Sequence, residues 1–267
     1  MNPRIIHSEG QSIQYLCAGK AQTVSHVLLH GIGSSMRSWS DQLEKVKTSN
    51  GHLVLAWNAP GYGSSSKLGM EAPKAEDYAS RLWQWLDFMG VKTPVVLVGH
   101  SLGCLMAASA ARLSASRVSQ LILLSPARGY GAESKDIREK KLNDRLNNLM
   151  EHGPLGMAKL RAHAMLSAQA PEALRLRVQD IMSQVDPKGY TQAAHMLANA
   201  DLCWELTHPK PSCQVLVASG HLDTITQPED CALVAQAIGQ ELLDLGPVGH
   251  ACSIEAPEKV SELIGWG

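Results

Sequence analysis

Short β-type runs alternate with longer helical stretches along this chain, and that alternation restricts its architecture more than any other feature. The runs fall at residues 4–6, 13–17, 24–29, 53–57, 95–98, 121–124, 215–218 and 242–245. Parallel neighbours must be joined by a crossover, usually a helix. The order from residue 24 onward therefore predicts an α/β fold, a mainly parallel eight-stranded sheet with helices on both faces. The first two runs, on either side of Ser8 to Gln11, read as an antiparallel hairpin. A length of 267 residues permits one large core, and 45% hydrophobic residues can offset the entropy of ordering it.

One stretch breaks the alternation. Residues 128–207 contain no convincing strand and read as several helices, with residues 135–150 and 172–182 carrying apolar side chains at helical spacing. We read 128–207 as a helical cap inserted into a core made of 1–127 and 208–267.

Charge and cysteine content narrow the function classes. Lys and Arg total 24 against 25 Asp and Glu, so no overall positive field attracts nucleic acid or an anionic membrane. There is no apolar run of membrane-spanning length and no hydrophobic block in the first 20 residues, which gives a cytoplasmic expectation. The six cysteines include no CxxC pair, arguing against a zinc site or a disulfide framework. Neither a metal nor an organic cofactor is expected, and with nucleic acid and membrane disfavoured a small molecule is the expected partner. Oligomeric state is not readable.

The chemistry concentrates at Gly99-His100-Ser101-Leu102-Gly103, placed between an apolar strand and a helix-forming segment. A strained turn there would project the Ser101 hydroxyl above the sheet, with glycines two residues to either side allowing close approach of strand and helix. A serine hydroxyl is a weak nucleophile at neutral pH and needs a base and an orienting acid. His250, in the loop after the last strand run, suits the base by chain order. Asp223, just after residues 215–218, suits the acid. A turn or a helix cap would account for Asp230 or Asp244, and the alternative acid position after residues 121–124 holds Ser125-Pro126-Ala127, without a carboxylate. Backbone amides at Leu102 and, in the loop His30-Gly31-Ile32-Gly33-Ser34-Ser35, at Ile32 are the candidate oxyanion donors.

Taken together, His30-Gly31 with Trp39, Pro60-Gly61-Tyr62-Gly63-Ser64, the Gly99–Gly103 turn, Gly220 with Asp223 and Pro228, and Gly249-His250 with Glu255-Ala256-Pro257-Glu258 resemble the α/β-hydrolase superfamily over nearly the whole chain. The likeness is greatest to its small serine-nucleophile members: carboxylesterases, enol-lactonases, cofactor-free haloperoxidases and carbon–carbon bond hydrolases. The resemblance implies catalytic roles for Ser101, Asp223 and His250, an oxyanion hole at Ile32 and Leu102, and hydrolysis of an ester or lactone through an acyl-enzyme. A carbon–carbon hydrolase, a haloperoxidase-like enzyme and a non-catalytic ligand sensor on the same fold are the alternatives. Serine at the elbow departs from the Asp of dehalogenases and epoxide hydrolases. His100 and Ala251 depart from the Asn and Trp usual in carbon–carbon hydrolases, and Asn58 from the Asp common before the Pro-Gly-x-Gly turn.

Two expectations concern the substrate. Arg37, just past the oxyanion loop, and Arg128, at the start of the insertion, are the candidate anchors for a substrate carboxylate. Met150, Met157, Met165, Met182 and Met196 all fall in the insertion, and flexible thioethers would suit an apolar pocket preferring uncharged esters.

Overall fold

Parallel strands buried on both faces need apolar side chains at every position, and here consecutive residues point into two separate cores. In a computed structural model, which describes residues 1–8 and 10–266, every expected run overlaps a strand, the third and the last being shorter than expected. The strands are β1 (Arg4–Ser8), β2 (Gln11–Gly19), β3 (His26–Leu29), β4 (Leu53–Trp57), β5 (Val95–His100), β6 (Val118–Leu124), β7 (Gln214–Ser219) and β8 (Leu243–Asp244). They form one eight-stranded sheet in the order β1-β2-β4-β3-β5-β6-β7-β8. β1 with β2 and β2 with β4 pair antiparallel, and all other pairs are parallel. Of the expected turn from Ser8 to Gln11, residue 9 lies outside the described residues.

The helices are α1 (Ser40–Val46), α2 (Ala75–Phe88), α3 (Leu102–Leu113), α4 (Lys135–Arg161), α5 (Glu172–Ser183), α6 (Pro187–Asn199), α7 (Leu202–Glu205), α8 (Pro228–Ala237), α9 (Cys252–Glu255) and α10 (Pro257–Leu263). Val27, Leu29, Leu55, Trp57, Leu121 and Leu123 face a core shared with α2, α3 and α8. Their neighbours Leu28, Val54, Ala56, Ile122 and Leu124 face the opposite core, which Leu43 of α1 and Val260 of α10 complete. Each fully buried Leu contributes roughly 1.5–3 kcal/mol, so both faces hold the sheet in place.

Helices α4 to α7 occupy the chain between β6 and β7. Ala158, Leu166, Val178 and Met182 from this segment pack with Ala251 and Ile254, so it is seated on the loop that carries His250. Helix α4 is broken at Gly153 (φ 60°, ψ 178°), followed by Pro154, a backbone geometry essentially restricted to glycine. Leu202 and Leu206, in and just after α7, are buried in the core that α2, α3 and α8 share. Among the described residues, no helix is long and apolar enough to cross a membrane.

Candidate active site

β5 runs two residues further than expected, directly into the turn at Ser101. Ser101 adopts φ 54°, ψ −116°, a strained conformation for a residue with a side chain, costing on the order of 1–3 kcal/mol. Its backbone is held on both sides by β6 and the segment after it: Ser101 N–H donates to the Leu124 carbonyl (3.0 Å) and Ala127 N–H donates to the Ser101 carbonyl (3.3 Å). A Cβ on Gly99 would lie 2.6 Å from the Gly103 carbonyl oxygen, and one on Gly103 would lie 2.3 Å from that of Leu29. The glycine spacing is thus a steric requirement of strand and helix meeting at this turn.

His250 and Asp223 leave adjacent strand ends and meet. His250 Nδ1 lies 2.9 Å from Asp223 Oδ2, with both side chains buried. Asp223 Oδ1 accepts the Ile225 and Thr226 amides (2.8 and 3.0 Å), and Oδ2 also accepts from the Thr226 hydroxyl (2.9 Å). Burial by itself would raise the carboxyl pKa. The neighbouring His250 and these hydrogen bonds outweigh it and hold the pKa at about 2. An ionised Asp223 places the imidazole proton on Nδ1 and leaves Nε2 as an acceptor. Ser101 and His250 line one cavity, and no hydrogen bond joins their side chains in this resting arrangement.

The His250 loop is clamped from two directions. His100 Nε2 donates to the His250 carbonyl at 2.7 Å, and burial, then the adjacent His250, push the His100 pKa down to about 3. Glu255 accepts the Gly249 amide (2.9 Å) together with the amide (3.0 Å) and the hydroxyl of Ser167. The Ala251 amide adds a bond to the Met165 carbonyl (2.7 Å). Glu255 and His100 stood in the sequence only as parts of motifs. Their role depends on contacts across 88 and 150 positions, which no local pattern carries.

The loop after β3 is equally constrained. Buried His30 donates from Nδ1 to the Gly31 carbonyl (2.8 Å) and accepts the Ala59 amide at Nε2 (3.0 Å); burial lowers its pKa to about 4. Because Tyr62 donates to the Ile32 carbonyl (2.7 Å), the peptide whose N–H belongs to Ile32 is gripped on both sides. The Ile32 and Leu102 amides have no intramolecular acceptor among the described residues, as the first amide of a helix ordinarily lacks one. Asn58 accepts the Met36 amide at Oδ1 and donates from Nδ2 to Gln14 Oε1 (2.7 Å), an oxygen already accepting Ser64 N–H. An Asp there would set two acceptors against each other, which explains the departure noted above.

A cavity of about 230 Å³ opens above Ser101 and is also lined by His250, Ile32 and Leu102. Met157, Met165 and Met182 reach it, whereas Met150 is 75% exposed and Met196 is buried elsewhere, so the methionine expectation fails for those two. Arg37 must likewise be withdrawn as a candidate: it forms an exposed ion pair with Asp180 (2.7 Å) outside the cavity. Arg128 does line the cavity, but its guanidinium is already paired with Asp230 at 2.9 Å. Two unanticipated cations are present instead, Arg145 and Arg161, both from α4 and both half-buried. The available signal for Arg145 was its register, one turn before Leu149 on the buried face of the helix. Among the described residues no group of three His, Cys, Asp or Glu side chains could hold a metal ion, and all six cysteines are free.

Residues 27–263 match the model of the alpha/beta hydrolase family, and the chain belongs to that family. Over 96% of this chain and 94% of the relative, it is 23% identical to (E)-2-((N-methylformamido)methylene)succinate hydrolase of Acinetobacter baylyi. Its fold is similar to that of a thermophilic esterase from Thermogutta terrifontis, with TM-score 0.84 and 23% identity over 99% of this chain and 97% of the other. It is similar also to the enol-lactonase from Burkholderia xenovorans LB400, with TM-score 0.84 and 20% identity over 98% of each chain.

Proposed function

We propose that the protein is a serine hydrolase that cleaves a carboxylic ester or lactone of a small molecule through an acyl-enzyme. The observation that carries this reading is the buried 2.9 Å pair of His250 Nδ1 and Asp223 Oδ2, of which His250 lines the same cavity as a serine held in a strained strand-to-helix turn. His250 Nε2 takes the proton of Ser101 Oγ as that oxygen attacks the substrate carbonyl, and Asp223 stabilises the imidazolium that forms. The Ile32 and Leu102 amides hold the developing oxyanion, pre-aimed by His30, Tyr62 and the start of α3. His250 then protonates the leaving alcohol, activates a water, and the acid departs. In this reading residues 128–207 cap the site and shape its pocket. The hydrolytic activities of the Acinetobacter, Thermogutta and Burkholderia relatives support it.

The test is covalent labelling with a fluorophosphonate probe alongside hydrolysis of 4-nitrophenyl acetate. Labelling of the wild type at Ser101, absent in a folded Ser101→Ala variant, is the expected result. Turnover that survives in Ser101→Ala would remove Ser101 from the nucleophile role. Tight ligand binding without any turnover would support the sensor alternative.

A further inference from the structure

We propose that this cavity takes a substrate bearing a carboxylate, held by Arg145 and Arg161 while the scissile carbonyl sits at Ser101. The proposal rests on the hydrolase reading for the second half of that statement only; the anion site stands on its own observations.

Arg145 and Arg161 line the same cavity as Ser101 and His250. Among the described residues neither has a carboxylate within 4.0 Å, whereas Arg128 at the same cavity is paired with Asp230 and Arg37 outside it with Asp180. The other charged group on the wall is Glu133, which is exposed and paired with neither arginine. The cavity therefore holds three guanidinium groups against two carboxylates, one of which is already engaged.

Beside Arg145 stand Tyr130 and Tyr190, which offer it hydroxyls and line the same cavity. Burial and then the adjacent Arg145 charge push the Arg161 pKa down. An arginine does not relieve such repulsion by losing its proton, because its pKa stays far above working pH. Two arginines that face each other and tyrosine hydroxyls, with no carboxylate partner among the described residues, are best satisfied by an external anion. A planar carboxylate matches the guanidinium fork with two parallel hydrogen bonds.

The proposal reverses the sequence-based expectation that uncharged esters are preferred. Met157, Met165 and Met182 would line the acyl chain between the anion site and Ser101 rather than surround a wholly apolar ligand.

The test compares 4-nitrophenyl hexanoate with mono-4-nitrophenyl adipate, which differ by a terminal methyl against a terminal carboxylate. In the wild type, kcat/KM for the adipate ester should exceed that for the hexanoate at least ~10-fold, and the advantage should shrink as salt rises. Arg145→Gln and Arg161→Gln should each lower the adipate-to-hexanoate ratio ~10-fold or more, with Arg161→Lys keeping part of it. A wild-type ratio of one or below, or a ratio unmoved in folded variants, overturns the proposal. Titration of adipate into Ser101→Ala by calorimetry separates the two readings. Arginine-dependent adipate binding with no turnover of either ester keeps the anion site and removes the hydrolase reading. Turnover of both esters at equal efficiency does the reverse.

Discussion

Arg145 and Arg161 line one cavity although sixteen positions of a single helix separate them. On a straight helix they would lie about 24 Å apart. The break at Gly153, with φ 60° and ψ 178° and Pro154 following, turns the second half of α4 back so that both guanidiniums reach the space above Ser101.

Replacing Gly153 by Ala should therefore affect selectivity as well as stability. A side chain in that backbone region costs on the order of 1–3 kcal/mol, a strain that straightening the helix would relieve by parting the arginines. Gly153→Ala should lower the melting temperature and reduce the preference for an anionic ester, measured by differential scanning calorimetry and paired kcat/KM values. A melting temperature equal to the wild type's would contradict the strain argument.

Ser101 and His250 should behave as one unit. Ser101→Ala and His250→Ala are each expected to lower kcat for an activated ester at least ~10³-fold, with the double variant hardly slower than either. Single-turnover rates for the three proteins decide the matter. Losses that multiply would mean the two side chains act independently and are wrongly paired.

Asp223 predicts both a rate and a pH effect. Asp223→Asn should reduce turnover on the order of 10⁴-fold by favouring the wrong imidazole tautomer. Its folded pKa, held at about 2, lies below the ordinary 3.8. The carboxylate thus contributes stability that is fully present above about pH 4 and is lost as pH falls toward 2, about 2 kcal/mol in all. Urea unfolding of wild type and Asp223→Asn between pH 6 and pH 2 should show the difference between them narrowing over that window. A constant difference would argue against an ionised, partnered Asp223.

Glu255 accepts three donors, from Gly249 and from the amide and hydroxyl of Ser167. Gln at this position keeps one oxygen for the Gly249 and Ser167 amides and turns its N–H₂ toward the Ser167 hydroxyl, so three charge-assisted hydrogen bonds give way to weaker neutral ones. Glu255→Gln should be less stable to urea and slower in kcat, with KM nearly unchanged, because the His250 loop loosens while the anion site stays intact. Unchanged kcat in a destabilised protein would restrict Glu255 to holding the fold.

Much of this molecule was legible in the chain itself, because the informative signals are local. Short β-type runs marked all eight strands, and glycines at 99 and 103 marked the tight turn, since the clash a Cβ would meet there is with backbone four or five residues on, or at the end of the adjoining β3. The positions of Ser101, Asp223 and His250 at strand ends followed from their place after those runs. What faces the cavity did not follow. Met150 and Met157 stand seven positions apart on what reads as one helix, yet Met150 is exposed and Met157 is buried against the cavity, because the break at Gly153 lies between them. Arg37 and Arg128 are near the site in sequence but are neutralised by Asp180 and Asp230, partners 143 and 102 positions away. Arg145 and Arg161 have no such partner, because among the described residues no acidic side chain is brought within 4.0 Å of them. Propensity and periodicity act within a few residues, whereas the pairing of charges depends on which surfaces the folded chain presses together, and that was decided by the tertiary structure alone.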